Sequence, residues 1–224
     1  MNFLSHYYFD RTSSDANVVM GTVLPDLIKN ALKEANLYPQ KNEFLFKGNP
    51  DEENLLMGWK RHLAVDLFFH SSDFFLEKTT ELKQLIKPIV ENTNVRPSFL
   101  AHIGLELLLD HLLVEHNLIQ VNHFYDKLNA VKKESLSDFL EHCNLKNPEL
   151  FFNFLEKFIS SKYLLSYRKL ENISYALNRI CMRLWPETLS ERQLDLLTLE
   201  LAIFKAVLEK DYMEIFREIE AKLV

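Results

Sequence analysis

Two stretches of this chain set ionisable residues four apart inside otherwise apolar sequence, a spacing that suits an α-helix and little else. In Gly58–His70, the residues His62, Asp66 and His70 recur among Trp59, Leu63, Ala64, Val65, Leu67, Phe68 and Phe69. In Phe99–Val114 the recurrence is His102, Glu106 and Asp110, with His111 adjacent and Leu, Ile, Ala or Phe at most other positions. Four residues advance about 6 Å along a helix and return to nearly the same face. Each stretch is therefore a helix with a polar stripe and an otherwise apolar circumference. A surface helix carries a broad face of mixed charges, whereas these stripes hold only His and carboxylates, the donor types that bind Mn, Fe, Zn or Mg. Packed face to face, the two would converge their side chains in one cavity, as helix bundles do when they build metal sites. The competing reading makes each stripe the narrow solvent face of a mostly buried helix.

The rest of the chain extends the helical reading. Only 4 glycines occur in 224 residues, too few for a chain of hairpins, so helices joined by Asn, Ser and Pro turns are expected. Ser13, Ser14 and Asp15 cap a first helix that Pro25 breaks or restarts. Residues 37–50 read as a loop, and a helix begins near Asp51 and runs to about His70. Ser71 and Ser72 interrupt, and another helix reaches about Val90. Pro97 and Ser98 open the next, through roughly His116. Shorter helices are expected around 119–131, 135–143, 148–160 and 170–184. A final helix is opened by a Ser190/Gln193 capping box, with Leu194, Leu197, Leu201, Phe204 and Leu208 on one face. No repeat or linker divides the chain, so the expected fold is all-α, a single-domain helical bundle over residues 1–224.

Composition removes several functional classes. A net charge of −6 disfavours general nucleic-acid binding. There is no Gly-rich phosphate loop, no Gly-x-Ser-x-Gly elbow and no His-Glu-x-x-His motif. Phe99–Val114 is the richest apolar stretch, but its ionisable residues argue against a membrane span. No secretory pattern opens the sequence, and its 2 cysteines lack metal-type spacing, so the expected location is the cytoplasm.

Four blocks of the sequence resemble one family. Met1-Asn-Phe-Leu-Ser-His6 is similar to the Met-Asn-Phe-Leu-Ala-His start of the acyl carrier protein phosphodiesterases, or ACP hydrolases. Gly21-Thr-Val-Leu-Pro-Asp26-Leu resembles their Gly-Asn-Leu-Leu-x-Asp-Phe. Gly58, His62 and Asp66 match Gly-Ile-x-x-His-Arg-x-Ile-Asp without gaps. Leu105-Glu106 through Asp110-His111-Leu-Leu aligns with Leu-Asp-x-x-x-Asp-His-Phe-Leu. Tyr167-Arg168 and Leu177-Asn178-Arg179 fit a weaker Tyr-Arg and Leu-Asn pattern, so the similarity covers residues 1–183 in order. The departures are Thr22 for Asn, Glu106 for Asp, Phe69-His70 for Thr-Asp, and an extra stretch around 37–55.

The resemblance implies an HD-domain-like fold related to the HD-domain phosphohydrolases. It also implies hydrolysis of the phosphodiester joining 4′-phosphopantetheine to a serine of acyl carrier protein. The implied cofactor is a divalent ion, Mn2+ before Mg2+ or Fe2+, held by Asp26, His62, Asp66 and Asp110. His111 or Glu106 would orient the attacking water or protonate the leaving oxygen, with second-layer support of the ligands as the alternative role. His6, His70 and His102 are additional site residues. Acyl carrier proteins are acidic, so Lys60, Arg61, Arg168, Lys169, Arg179 and Arg183 are candidates for binding the carrier or its phosphate. The rival readings are a phosphohydrolase of the same type acting on another phosphoester, and a non-catalytic helical binding protein. A di-iron bundle is disfavoured because its Glu-x-x-His pairs are missing.

Overall fold

A computed structural model describes residues 1–185 and 189–223. Among them the secondary structure is helical throughout: α1 (Phe3–Asp10), α2 (Ala16–Ala31), α3 (Pro50–His70), α4 (Asp73–Val90), α5 (Pro97–Glu115), α6 (Val121–Asn129), α7 (Lys133–His142), α8 (Pro148–Ser161), α9 (Leu170–Met182), α10 (Glu191–Leu208) and α11 (Met213–Lys222). Short 3-10 turns at Pro39–Lys41, Glu43–Phe46 and Tyr163–Arg168 supplement them. The all-α expectation holds. Apolar side chains from Met1 to Ile219 form one contiguous core cluster.

Several caps lie where the sequence places them. Asp15 accepts hydrogen bonds from the Asn17 and Val18 amides at the start of α2, and Ser72 accepts one from Phe75. The Ser190/Gln193 capping box is complete on both sides. Pro25, however, does not break its helix: α2 runs unbroken from Ala16 to Ala31. An internal proline costs about 3 kcal/mol. Burial of Val18, Val19, Met20, Val23, Leu24, Leu27 and Ile28 outweighs it, at about 1.5–3 kcal/mol for each large side chain.

Two helices, α1 and α11, are absent from the expectations above. α1 is buried along its whole length. α11 buries Ile215, Phe216 and Ile219 and has no capping side chain.

α2 and α3 cross backbone to backbone at Gly21 and Gly58. A Cβ on Gly21 would lie 2.2 Å from the Leu55 carbonyl oxygen, and one on Gly58 would lie 2.1 Å from that of Val18. No side chain fits either position, so this crossing sets the register of His62 against α2. α5 has the length and apolarity of a membrane span, contrary to the sequence reading. It is mostly buried inside the fold and packs against α1, α4 and α9 as a core helix.

Candidate metal centre

The two polar stripes touch at His70 and Glu106, 3.1 Å apart, and elsewhere face each other across Met1–His6, the start of the chain. His6, from α1, is fully buried and stacks on His62 with ring centroids 3.9 Å apart. Its Nε2 lies 3.2 Å from Asp66 Oδ1, and neither ring nitrogen is satisfied by a well-aligned hydrogen bond. His62 Nδ1 donates to the Thr22 carbonyl at 2.9 Å, which leaves Nε2 with its lone pair directed toward Asp66 Oδ2, 3.5 Å away. One donor atom each from His6, His62 and Asp66 lie within 4.8 Å of one another. One turn further along the stripes, His70, His102 and Glu106 form a second such group.

The cluster is strongly ionic. Burial opposes charge on Asp66, but neighbouring His6, the Met1 ammonium and His62 hold its carboxyl well below the ordinary range. Glu106 is depressed likewise, against its burial, by the Met1 ammonium, His102 and His70. The Met1 amine lies 2.7 Å from Asp66 Oδ1 and 3.2 Å from Glu106 Oε1. Burial disfavours its charge, yet those carboxylates push its pKa up to about 10. Burial, followed by the proximity of His62, pulls His6 down to about 4, so the ring is neutral at neutral pH. Asp26 is pushed up to about 6, chiefly by burial. Together with Met1, Glu106, Tyr163, Tyr167 and Arg179, Asp26 lines an open cavity of about 670 Å³. Buried neutral imidazoles with idle nitrogens, beside ionised carboxylates, suit a divalent cation: two nitrogens and an oxygen are donors that Mn, Fe and Zn accept.

The sequence profile of the acyl carrier protein phosphodiesterases matches residues 1–219, nearly the full length. The chain belongs to this family. Its name makes the protein a phosphodiesterase, hence a hydrolase, with acyl carrier protein as the substrate the family is named for. Searches of curated proteins and of solved structures return no match.

In this acyl carrier protein phosphodiesterase family member the remaining expected site residues have differing surroundings. Asp110 is fully buried, and its carboxylate accepts from Asn2 Nδ2 at 2.9 Å, Leu4 N at 3.1 Å, Ser5 N at 2.7 Å and Ser5 Oγ at 2.6 Å. It thereby caps α1, and burial raises it to about 7 against the pull of those donors. His111 turns the other way: its Nδ1 donates to the Tyr167 carbonyl at 2.7 Å, and burial lowers its pKa. Lys60 pairs with Glu43, Arg61 with Asp10, and Arg168 donates to Asn117. Lys169 is exposed on the linker before α9. Arg179 and Arg183 border the cavity, with Arg183 donating to Asn30 Oδ1. Sequence reasoning did not single out Met1, Tyr163 or Tyr175, which also line it. The Met1–His6 block was visible as a motif, but nothing local shows that it lies between α3 and α5.

Proposed function

We propose that the chain hydrolyses the phosphodiester between 4′-phosphopantetheine and the serine of holo-acyl carrier protein, with a divalent cation held by His6, His62 and Asp66. The observation that carries the reading is the convergence of these donors, with Met1 linking Asp66 to an open cavity, in a chain of this family. When bound, the cation would supply a Lewis acid for phosphoryl oxygens and make a bound water more acidic. The residues do the rest. Thr22, through its carbonyl, fixes the His62 tautomer so that Nε2 is the free nitrogen. Asp26, on the cavity wall with its pKa raised to about 6, is ionised at neutral pH. It accepts the proton of the attacking water and returns it to the serine oxygen as the P–O bond to the carrier breaks. Arg179 and Arg183 attract the acidic carrier, and Tyr163 and Tyr175 flank the pantetheine arm. Asp110 acts by holding α1, and so His6, in register. His111 acts by holding the Tyr167 backbone. The all-α fold, with His and carboxylate donors drawn from separate helices, supports a relation to the HD-domain phosphohydrolases.

The test is to incubate the protein with holo-acyl carrier protein and manganese, magnesium or chelator, and to weigh the carrier by mass spectrometry. Metal-dependent loss of phosphopantetheine is expected, and His62→Ala abolishes it while the circular dichroism stays helical. An unchanged carrier, with folded and metal-loaded protein, overturns the proposal, as does release undiminished by chelator.

A further inference from the structure

We infer that His70, His102 and Glu106 form a second cation site, separate from His6, His62 and Asp66, and rich enough in imidazole to prefer Zn2+ or Co2+ over Mg2+. The geometry carries this. His70 Nε2 lies 3.1 Å and His102 Nε2 3.0 Å from the same oxygen, Glu106 Oε1. Donor atoms around a tetrahedral ion, each bonded at about 2.0–2.1 Å, sit roughly 3.3 Å from one another, close to both of these separations, and all three donor atoms lie within 4.8 Å of one another. His102 and Glu106 are one turn apart on α5, and His70 ends α3, so the pair on one helix is closed by a ligand from another. Phe75, at the start of α4, meets both rings edge-on, at 4.9 Å from His70 and 5.0 Å from His102. It contributes no donor and fixes both ring planes.

The charge balance points the same way. Glu106 is almost wholly buried, and among the described residues no Lys or Arg pairs with it. Two imidazoles and the Met1 ammonium surround it instead. If the only need were to neutralise a buried carboxylate, a single Arg would serve better, whereas imidazoles add lone pairs that bind metal. His102 also borders an open cavity of about 550 Å³ lined by Arg96, Phe99 and Trp185, which gives an ion a route to the group from outside. Two imidazoles and one carboxylate favour the later first-row ions over Mg2+, which prefers a shell of oxygens.

The inference stands independently of the hydrolysis proposed above. Its test is equilibrium dialysis of the full chain against Co2+ or Zn2+, with elemental analysis and the visible spectrum of the cobalt form. The parent is expected to hold two equivalents. His62→Ala loses one, and the double variant His70→Ala/His102→Ala loses the other together with its share of the tetrahedral cobalt bands. His116→Ala, in the exposed Glu115–His116–Glu209 group, keeps both. His102→Gln retains a donor to Glu106 and guards against misfolding as an explanation. It should weaken the second equivalent roughly tenfold or more. The inference is overturned if the double variant binds as much as the parent, if His116→Ala removes the second equivalent, or if His102→Gln binds unchanged. Loss in the double variant with none in His62→Ala upholds this site and overturns the His6–His62–Asp66 one.

Discussion

At the scale of single residues, the most constrained group is His6. It is fully buried, stacked on a second imidazole, and held neutral down to about pH 4 against an ordinary value of 6.5. The sign of the consequence is definite. The unfolded chain takes up this proton near pH 6.5 and the folded chain only near 4, so the stability due to neutral His6 is whole above 6.5. It is lost as the pH falls from 6.5 to 4. With chelator present, the stability gap between the parent and His6→Gln should narrow by up to about 3 kcal/mol as the pH falls across that window. Urea denaturation at several pH values measures it. A gap that ignores pH would mean that His6 titrates as freely as in the unfolded chain.

At the scale of elements, the centre depends on two close fits. One is the cap that Asp110 places on α1, from a position 106 residues distant from the Leu4 amide. The other is the crossing of α2 and α3 at Gly21 and Gly58, where a methyl group would lie within 2.2 Å of backbone oxygen. Gly58→Ala must push the helices apart, with an expected stability loss of about 3 kcal/mol or more. The same shift parts His62 from the Thr22 carbonyl, so metal affinity falls too. Gly104→Ala is the contrast, since its nearest neighbour is the movable tip of Leu82 at 3.2 Å. There the loss should stay below about 1 kcal/mol, because alanine is also the better helix former. Equal losses at both glycines would remove the crossing from the account of the site.

For the whole molecule, electrostatics sets the terms of binding. The chain carries a net charge of −6 and would act on an acidic carrier, so association relies on local charge rather than the overall field. Arg61 is already paired with Asp10 and Lys60 with Glu43, which leaves the α9 face with Arg179 and the neighbouring Arg183 to supply that charge at the cavity. Arg179→Glu should raise KM for holo-acyl carrier protein about tenfold while kcat changes less than about twofold. Bound metal should be unaltered, and added salt should weaken the parent more than the variant. A fall in kcat at constant KM would instead bring Arg179 to the reacting phosphate.

What could be read in the sequence was what neighbouring residues decide among themselves. Helices with a local cap or a repeating apolar face, such as α2 from Asp15 and α10 from Ser190, were legible because their signals lie within a turn of the start. The residue types of the centre were legible too, since His and carboxylates four apart on apolar helices stand out at any distance from their partners. The period of four fixes which face a side chain shares, but it does not say what that face meets. Tertiary structure decided that Glu106 meets two imidazoles while Asp110, one turn on, meets the start of α1. It decided that His111 turns to the Tyr167 carbonyl. It also made a helix of Phe3–Asp10, whose cap comes from α5, and carried α2 through Pro25. In each case the deciding energy, burial or a distant hydrogen bond, exists only once the chain has brought remote segments together.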